Sequence, residues 1–146
     1  MQWNDPTLTL ITPAGSILFN QDTGDTYIND PTQCSGLDQA PIRSNVDQRP
    51  QTHGGIIHPS FYDARHITLT GVLVARSGAT ETGQVATRQT LEDDLIAALD
   101  SILNTDGTLA WSSRSLTVRC DIPANYTGAY LKNYQFGLVA ANPAIT

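Results

Sequence analysis

One stretch of this chain repeats its apolar residues at helical spacing. Leu91, Leu95, Leu99 and Ile102 recur three or four positions apart, with Ala98 and Leu103 beside them. The spacing predicts a helix over about Thr87 to Leu103. Asp93, Asp94 and Asp100 fall on the side away from the core. Glu92, Asp93 and Asp94 suit the positive N-terminal half of a helix. Asn104 to Gly107 is expected to end it, with a glycine just past the last apolar residue. A chain with one such helix must build the rest of its core from strands.

The other patterned stretches alternate with period two. Leu116, Val118, Cys120 and Ile122 alternate with Thr117, Arg119 and Asp121, which is a half-buried strand. Pro123 to Gly128 reads as the turn after it. Tyr134, Phe136, Leu138 and Ala140 then alternate with Gln135, Gly137 and Val139. Arg65 to Ala75 reads as a long strand in which Ile67, Leu69 and Leu73 share a face. Gly71 in its middle signals a bulge or a close backbone approach. Leu8 to Thr12 and Ser16 to Phe19 form a hairpin around Pro13-Ala14-Gly15. Thr26 to Ile28 and Thr108 to Trp111 are short strands, and Ser112 to Ser115 is a turn. Pro41 to Pro50 reads as one extended strand, with Ile42, Ser44, Val46 and Gln48 on one face. Arg43, Asn45, Asp47 and Arg49 lie on the other, which must meet water or a partner. Gln51 to Asp63 is rich in Gly, His and Pro and reads as an excursion or long hairpin tip. Arg76 to Gly83 reads as a linker. The sum is seven or eight strands and one helix in a single domain, residues 1–146. The fold class is mainly β, a β-sandwich with one packed helix across a face or end.

Composition narrows the function classes. The formal net charge is −6 and lysine occurs once, at Lys132. A basic nucleic-acid footprint is therefore absent. An acidic wall repels DNA, which suits a conduit and not a binder. No apolar run approaches membrane-spanning length. Met1 to Pro6 lacks the basic start and apolar core of a secretion signal. Cys34 and Cys120 are one distant pair and no disulfide framework, and Cys120 is expected as a buried free thiol.

No catalytic constellation assembles, so no enzyme is expected and no cofactor or metal is assigned. His53, His58, Asp63 and His66 are the one cluster with ligand or base character, and solvated loop histidines account for it better. No nucleophile elbow surrounds a serine. Glu92-Asp93-Asp94 are successive helix positions that diverge by about 100° and do not face one another. Gly54-Gly55 is not a phosphate loop. Asn125-Tyr126-Thr127 matches a glycosylation acceptor, which without a secretory signal is chance. Tyr126, Tyr130 and Tyr134, with Trp111, leave a carbohydrate-binding module open as an alternative of a different class.

One series of features in order carries more. Gly36-Leu37 leads to Pro41 and then to the Arg43 to Arg49 strand. Gly54-Gly55 follows, then the strand His66 to Ala75. After it come the leucine-spaced helix, the turn Gly107-Thr108-Leu109 with Trp111, and Phe136 to Asn142-Pro143. This order resembles the N-terminal domain of phage distal tail proteins, ring-forming hub components of siphophage tail tips. The resemblance implies a tail-tube-like β-sandwich with one helix. It implies a hexameric ring that joins the tail tube to the distal baseplate or fibre and leaves a channel for DNA. The expected partners are further copies of itself, the tail-tube protein and baseplate hub proteins, with DNA as passing cargo and no membrane insertion. The expected location is the distal end of the virion tail, after synthesis in the host bacterial cytoplasm. The near alternative is the tail-tube subunit. Family members often add a C-terminal domain that can bear carbohydrate-binding modules. None is seen in these residues, which leaves receptor binding by them open. Unprotected strand edges favour pairing between copies, and a heterologous contact of the right rotation closes into a ring. The candidate ring-interface and lumen residues are Arg43, Asn45, Val46, Asp47, Arg49, Thr68, Thr70 and Val72.

Overall fold

The computed structural model describes residues 2–43, 46–48, 54–57, 60–78, 80–128 and 131–146. A single 3-10 turn (Gln2–Asn4) precedes β1 (Thr9–Thr12) and β2 (Gly15–Leu18), a hairpin in which Thr12 opposes Gly15. β3 (Thr26–Asn29) follows. Four short strands come next: β4 (Ile42–Arg43), β5 (Val46–Gln48), β6 (Gly55–Ile57) and β7 (Phe61–Tyr62). β8 (Arg65–Val74), helix α1 (Glu81–Ser101), β9 (Gly107–Trp111), β10 (Arg114–Thr127) and β11 (Asn133–Ala140) complete the order.

Seven strands form one antiparallel sheet in the order β2-β1-β9-β10-β11-β8-β3. The sheet curls until its borders meet. Phe19, just past β2, makes a parallel bridge to Tyr27 of β3, and Asn20 N–H donates to the Tyr27 carbonyl at 2.7 Å. The two layers expected from the sequence are thus opposite walls of a single, nearly closed sheet. β10 serves both walls. Its first part, to Val118, pairs with β9, and its second part, from Arg119, pairs with β11.

The interior is one apolar cluster. The inward residues of β11, Tyr134, Phe136 and Leu138, are almost fully buried, as their alternation predicts. Phe19, Tyr27, Tyr134 and Phe136 form its aromatic centre, with Tyr27 and Tyr134 edge to face at 5.8 Å between ring centroids. Such pairs add about 0.5–1.5 kcal/mol beyond their burial. Helix α1 contributes Leu91, Leu95, Ala98 and Leu99, and Ile102 at its end is also buried. Each leucine side chain so buried is worth about 1.5–3 kcal/mol. Asp93, Asp94 and Asp100 face water as expected.

Several boundaries differ from the sequence expectation. The helix starts at Glu81, inside the expected linker, because Thr80 caps it: its side chain accepts from Gly83 N–H at 3.1 Å. Gly107 does not cap the helix, which closes at Ile102; it is a buried β9 residue where a Cβ would meet Ile102 Cγ2 at 2.8 Å. Pro123 does not begin a turn. β10 runs through it to Thr127, because register shifts on either side of Ile122 remove the regular ladder that a proline would break. The expected strand Pro41 to Pro50 is two short strands with different partners: β4 pairs with β7, and β5 pairs with β6. Cys34 is a buried free thiol, whereas Cys120 is free but only half-buried.

Three tyrosines tie the layers together. Tyr27 Oη donates to the Leu91 carbonyl and Tyr126 Oη to the Glu92 carbonyl at 3.1 Å, both on α1. Tyr134 Oη donates to Asn29 Oδ1. Burial raises all three phenols above their ordinary value of 10.0. Above pH 10 the unfolded chain therefore loses phenolic protons that the folded chain keeps. Tyr27 and Tyr134 should each remove about 1.4 kcal/mol of stability per pH unit in that range. Urea midpoints measured from pH 9 to pH 12 check this; a midpoint unchanged across pH 10–11 contradicts it.

Candidate assembly surface

The residues expected to form an assembly surface fall into two places. Thr68, Thr70 and Val72 lie on β8, half-buried on the face away from the core. β8 is an interior strand. β11 lies on one side, and β3 and the segment after it lie on the other. Asp30 N–H donates to the Thr70 carbonyl at 2.8 Å, and Ser35 and Thr68 exchange two backbone bonds at 3.0 Å. The expected edge pairing through β8 is therefore closed: its backbone bonds are used internally. These residues can meet a partner only through their face. Thr70 and Val72 there floor a polar concavity of about 260 Å³, with Asp30, Asn125, Asn133 and Gln135 around it.

Arg43, Val46 and Asp47 belong to the ribbon between β4 and β7. Ile42 opposes Tyr62 and Arg43 opposes Phe61; farther out, Val46 opposes Ile57 and Asp47 opposes Ile56. The register shifts by one residue between the two pairs. Neither pair joins the seven-stranded sheet. Asn45 and Arg49 lie outside the described residues, as do His53, His58 and Tyr130.

The ribbon root carries residues that the sequence reading included in the excursion but did not name among its candidate interface residues. Ile42, Phe61 and Tyr62 are 57%, 62% and 58% exposed. Three large apolar residues side by side on a two-stranded ribbon mark an interaction surface more than a stable free one. The available signal was Phe61-Tyr62, an aromatic pair inside a Gly-, His- and Pro-rich segment.

An arginine fixes this root to the sheet. Arg65, the first residue of β8, is 5% exposed. Its Nη1 donates to the carbonyls of Gly36, at 2.7 Å, and Asp38. Its Nε and Nη2 donate to the Pro143 carbonyl at 3.3 and 3.0 Å. Asp63 N–H donates to the Pro41 carbonyl at 2.7 Å, which closes the ribbon beside it. One side chain thus holds the approach to the ribbon, its return and the C-terminal segment in register.

The histidine and aromatic candidates do not assemble. His66 Nδ1 sits 3.2 Å from Asp121 Oδ2 on the exposed sheet face, while Asp63 Oδ1 accepts from Ala64 N–H at 2.9 Å. Among the described residues no group of three His, Cys, Asp or Glu side chains could hold a metal ion. Trp111 is 2% and Tyr134 1% exposed, and the Tyr126 hydroxyl is committed to α1, so these three form no sugar-stacking strip. Among the described residues no helix is long and apolar enough to cross a membrane.

Free strand borders are the other possible contacts. Among the described residues the second part of β10 has no strand on its β9 side, where Cys120 N–H instead donates to the Ile102 carbonyl at 3.0 Å. Pro123 lies within this part of β10, and a proline is one of the devices by which proteins discourage pairing at a strand border.

No family model matches the chain, and no curated protein matches it. Among solved structures, the chain is similar to the SPP1 Dit protein (gp 19.1), described as a paradigm of the hub adsorption apparatus in phages that infect Gram-positive bacteria. The TM-score is 0.59 at 17% identity, over 94% of this chain and 51% of that one. The chain thus spans about half the length of that protein. What the likeness shows is the fold: a mainly β architecture with one helix, shared with a phage hub protein across nearly all of these residues.

Proposed function

We propose that this chain is a structural component of a phage tail tip, a hub ring of six copies that joins the tail tube to the distal baseplate or fibre. The observation that carries the reading is the fold shared with SPP1 Dit over 94% of the chain. The exposed apolar ribbon root supports it, because such a surface needs a neighbour. The role is one of assembly and not catalysis. Its partners are other copies, the tail-tube protein and baseplate hub proteins. DNA passes through the lumen, where a net charge of −6 keeps the wall from holding it. The glycan-binding alternative lacks an exposed aromatic platform at Trp111, Tyr126 and Tyr134.

Negative-stain microscopy of the purified protein should show a six-fold annulus with a central hole. Long stacked tubes would make it a tail-tube subunit instead, and a uniform monomer at all concentrations would end the ring reading. Phe61→Asp should shift the mass in light scattering from ring to monomer. A buried aromatic anchor lost at each contact costs about 2 kcal/mol or more, roughly a 30-fold weaker association. Because Phe61 is 62% exposed in the single chain, the variant's circular dichroism and melting should not change. Rings that survive Phe61→Asp would remove the ribbon root from the interface.

A further inference from the structure

We propose that the cavity of about 420 Å³ at the ribbon root is a docking socket for a partner protein's peptide segment that carries a carboxylate beside apolar residues. Ala40, Pro143 and Ile145 line it with Gln39, Tyr62 and Asn142, and Arg65 stands in its wall. That combination, apolar walls with a few convergent polar groups and one charge, is the usual make-up of a binding site.

The charge argument rests on Arg65. Its guanidinium has five N–H groups, and four are spent on the carbonyls of Gly36, Asp38 and Pro143. One N–H on Nη2 is left over. Carbonyls supply dipoles and no counter-charge. Among the described residues no carboxylate forms an ion pair with Arg65. A buried cation without an opposite charge retains much of its desolvation cost, and a carboxylate brought into the cavity offsets it. Gln39 and Asn142 flank the same space with amide groups that can donate to a second carboxylate oxygen.

The apolar argument rests on continuity. Tyr62 lines this cavity and also a smaller one of about 200 Å³ formed with Ile42, Ser60 and Phe61. The socket therefore opens onto the exposed ledge of the ribbon root. A peptide lying on that ledge buries apolar side chains on it and can also pair with the two-residue strands β4 and β7, whose outer borders pair with no other strand among the described residues. Nucleic acid and anionic lipid surfaces are disfavoured by the chain's net charge of −6. The inference does not depend on ring formation, since the socket is complete within one chain.

The test uses the whole chain, an acetylated and amidated Leu-Asp-Leu peptide, and its Leu-Asn-Leu counterpart. Peptide titrations followed by NMR should shift the Arg65 Nε–Hε signal and the methyl signals of Ala40 and Ile145. The carboxylate form should bind about tenfold more tightly than the amide form, as expected for a charge-assisted contact. Gln39→Glu places a competing carboxylate in the cavity without touching the Arg65 staple, and should erase that preference without lowering the melting temperature. Equal binding of the two peptides, or shifts in neither titration, overturns the proposal. A short alkanoate that reproduces the shifts at the peptide's affinity also overturns it, because the site would then take a free acid. The same shifts produced by concentrating the protein alone would make the occupant a second copy and overturn the assignment to a separate partner.

Discussion

Gly71→Ala should lower stability by about 4 kcal/mol or more, a loss of roughly 12 °C in melting temperature for a chain of this size. Gly71 sits where β8 meets β3 and β11 together. A Cβ built there would lie 2.0 Å from the Ile28 carbonyl oxygen and 2.6 Å from Tyr134 Oη. The first neighbour is backbone and cannot rotate away. The second is a buried hydroxyl held by Asn29. One of two things must give. If β3 moves out, it loses its register with β8 from Thr26 to Asn29. If Tyr134 moves, the Phe19–Tyr27–Tyr134–Phe136 centre repacks. Either way overpacking against a rigid neighbour exceeds the usual cost of an added methyl group. Thermal denaturation with hydrogen exchange at Thr26–Asn29 checks it. A variant that melts within about 2 °C of the parent would show that the strands do not approach so closely.

Arg65→Met should cost about 3 kcal/mol, with the damage concentrated at the ribbon root. Methionine keeps most of the side-chain volume and remains apolar, so the loss reports hydrogen bonds and not a cavity. The carbonyls of Gly36, Asp38 and Pro143 lose their common donor. Hydrogen bonds from a charged donor are worth about 1.5–3 kcal/mol, and buried acceptors left unpaired add to that. Exchange protection should fall around residues 36–41 and at Ala144, while the backbone amides of β9 and the first part of β10 keep theirs. Uniform loss across both regions would mean that Arg65 supports the whole sheet and not the root alone. Retention of parental stability would show the guanidinium to be dispensable.

The elements that could be read from the sequence are those whose apolar period is local. The inward rows of β8 and β11 and the buried face of α1 follow directly from alternation or helical spacing, because each of those side chains meets the same interior. The first turns of α1 escaped, since residues 81–90 hold no apolar stripe and the informative residue, Thr80, acts through its oxygen. Pro123 misled because proline usually ends a ladder, whereas register shifts had already interrupted this one. The ribbon was legible as an excursion but not as two nested pairs. Its pairing depends on positions outside any single window. Arg65 was the least visible of all. Its acceptors lie 27, 29 and 78 residues away, and a lone arginine at a strand start carries no sign that it will be buried. Of the candidate assembly residues, Arg43 lies on a two-stranded pair separate from the seven-stranded sheet, while Thr68, Thr70 and Val72 sit on a wall whose hydrogen-bonding border is already occupied.

The strand order also sets a timetable for synthesis. The hairpin Thr9–Leu18 leaves the ribosome early, yet its lateral neighbour is Gly107–Trp111, nearly a hundred positions downstream. At roughly 5–20 residues per second, its greasy inner side waits about 5–20 seconds for that neighbour. During that interval Leu8, Leu10 and Ile17 are sticky surface and not interior. Contacts so distant along the chain also slow closure once translation ends. A cell producing many copies at once would therefore meet its greatest clumping hazard in nascent chains shorter than about residue 111.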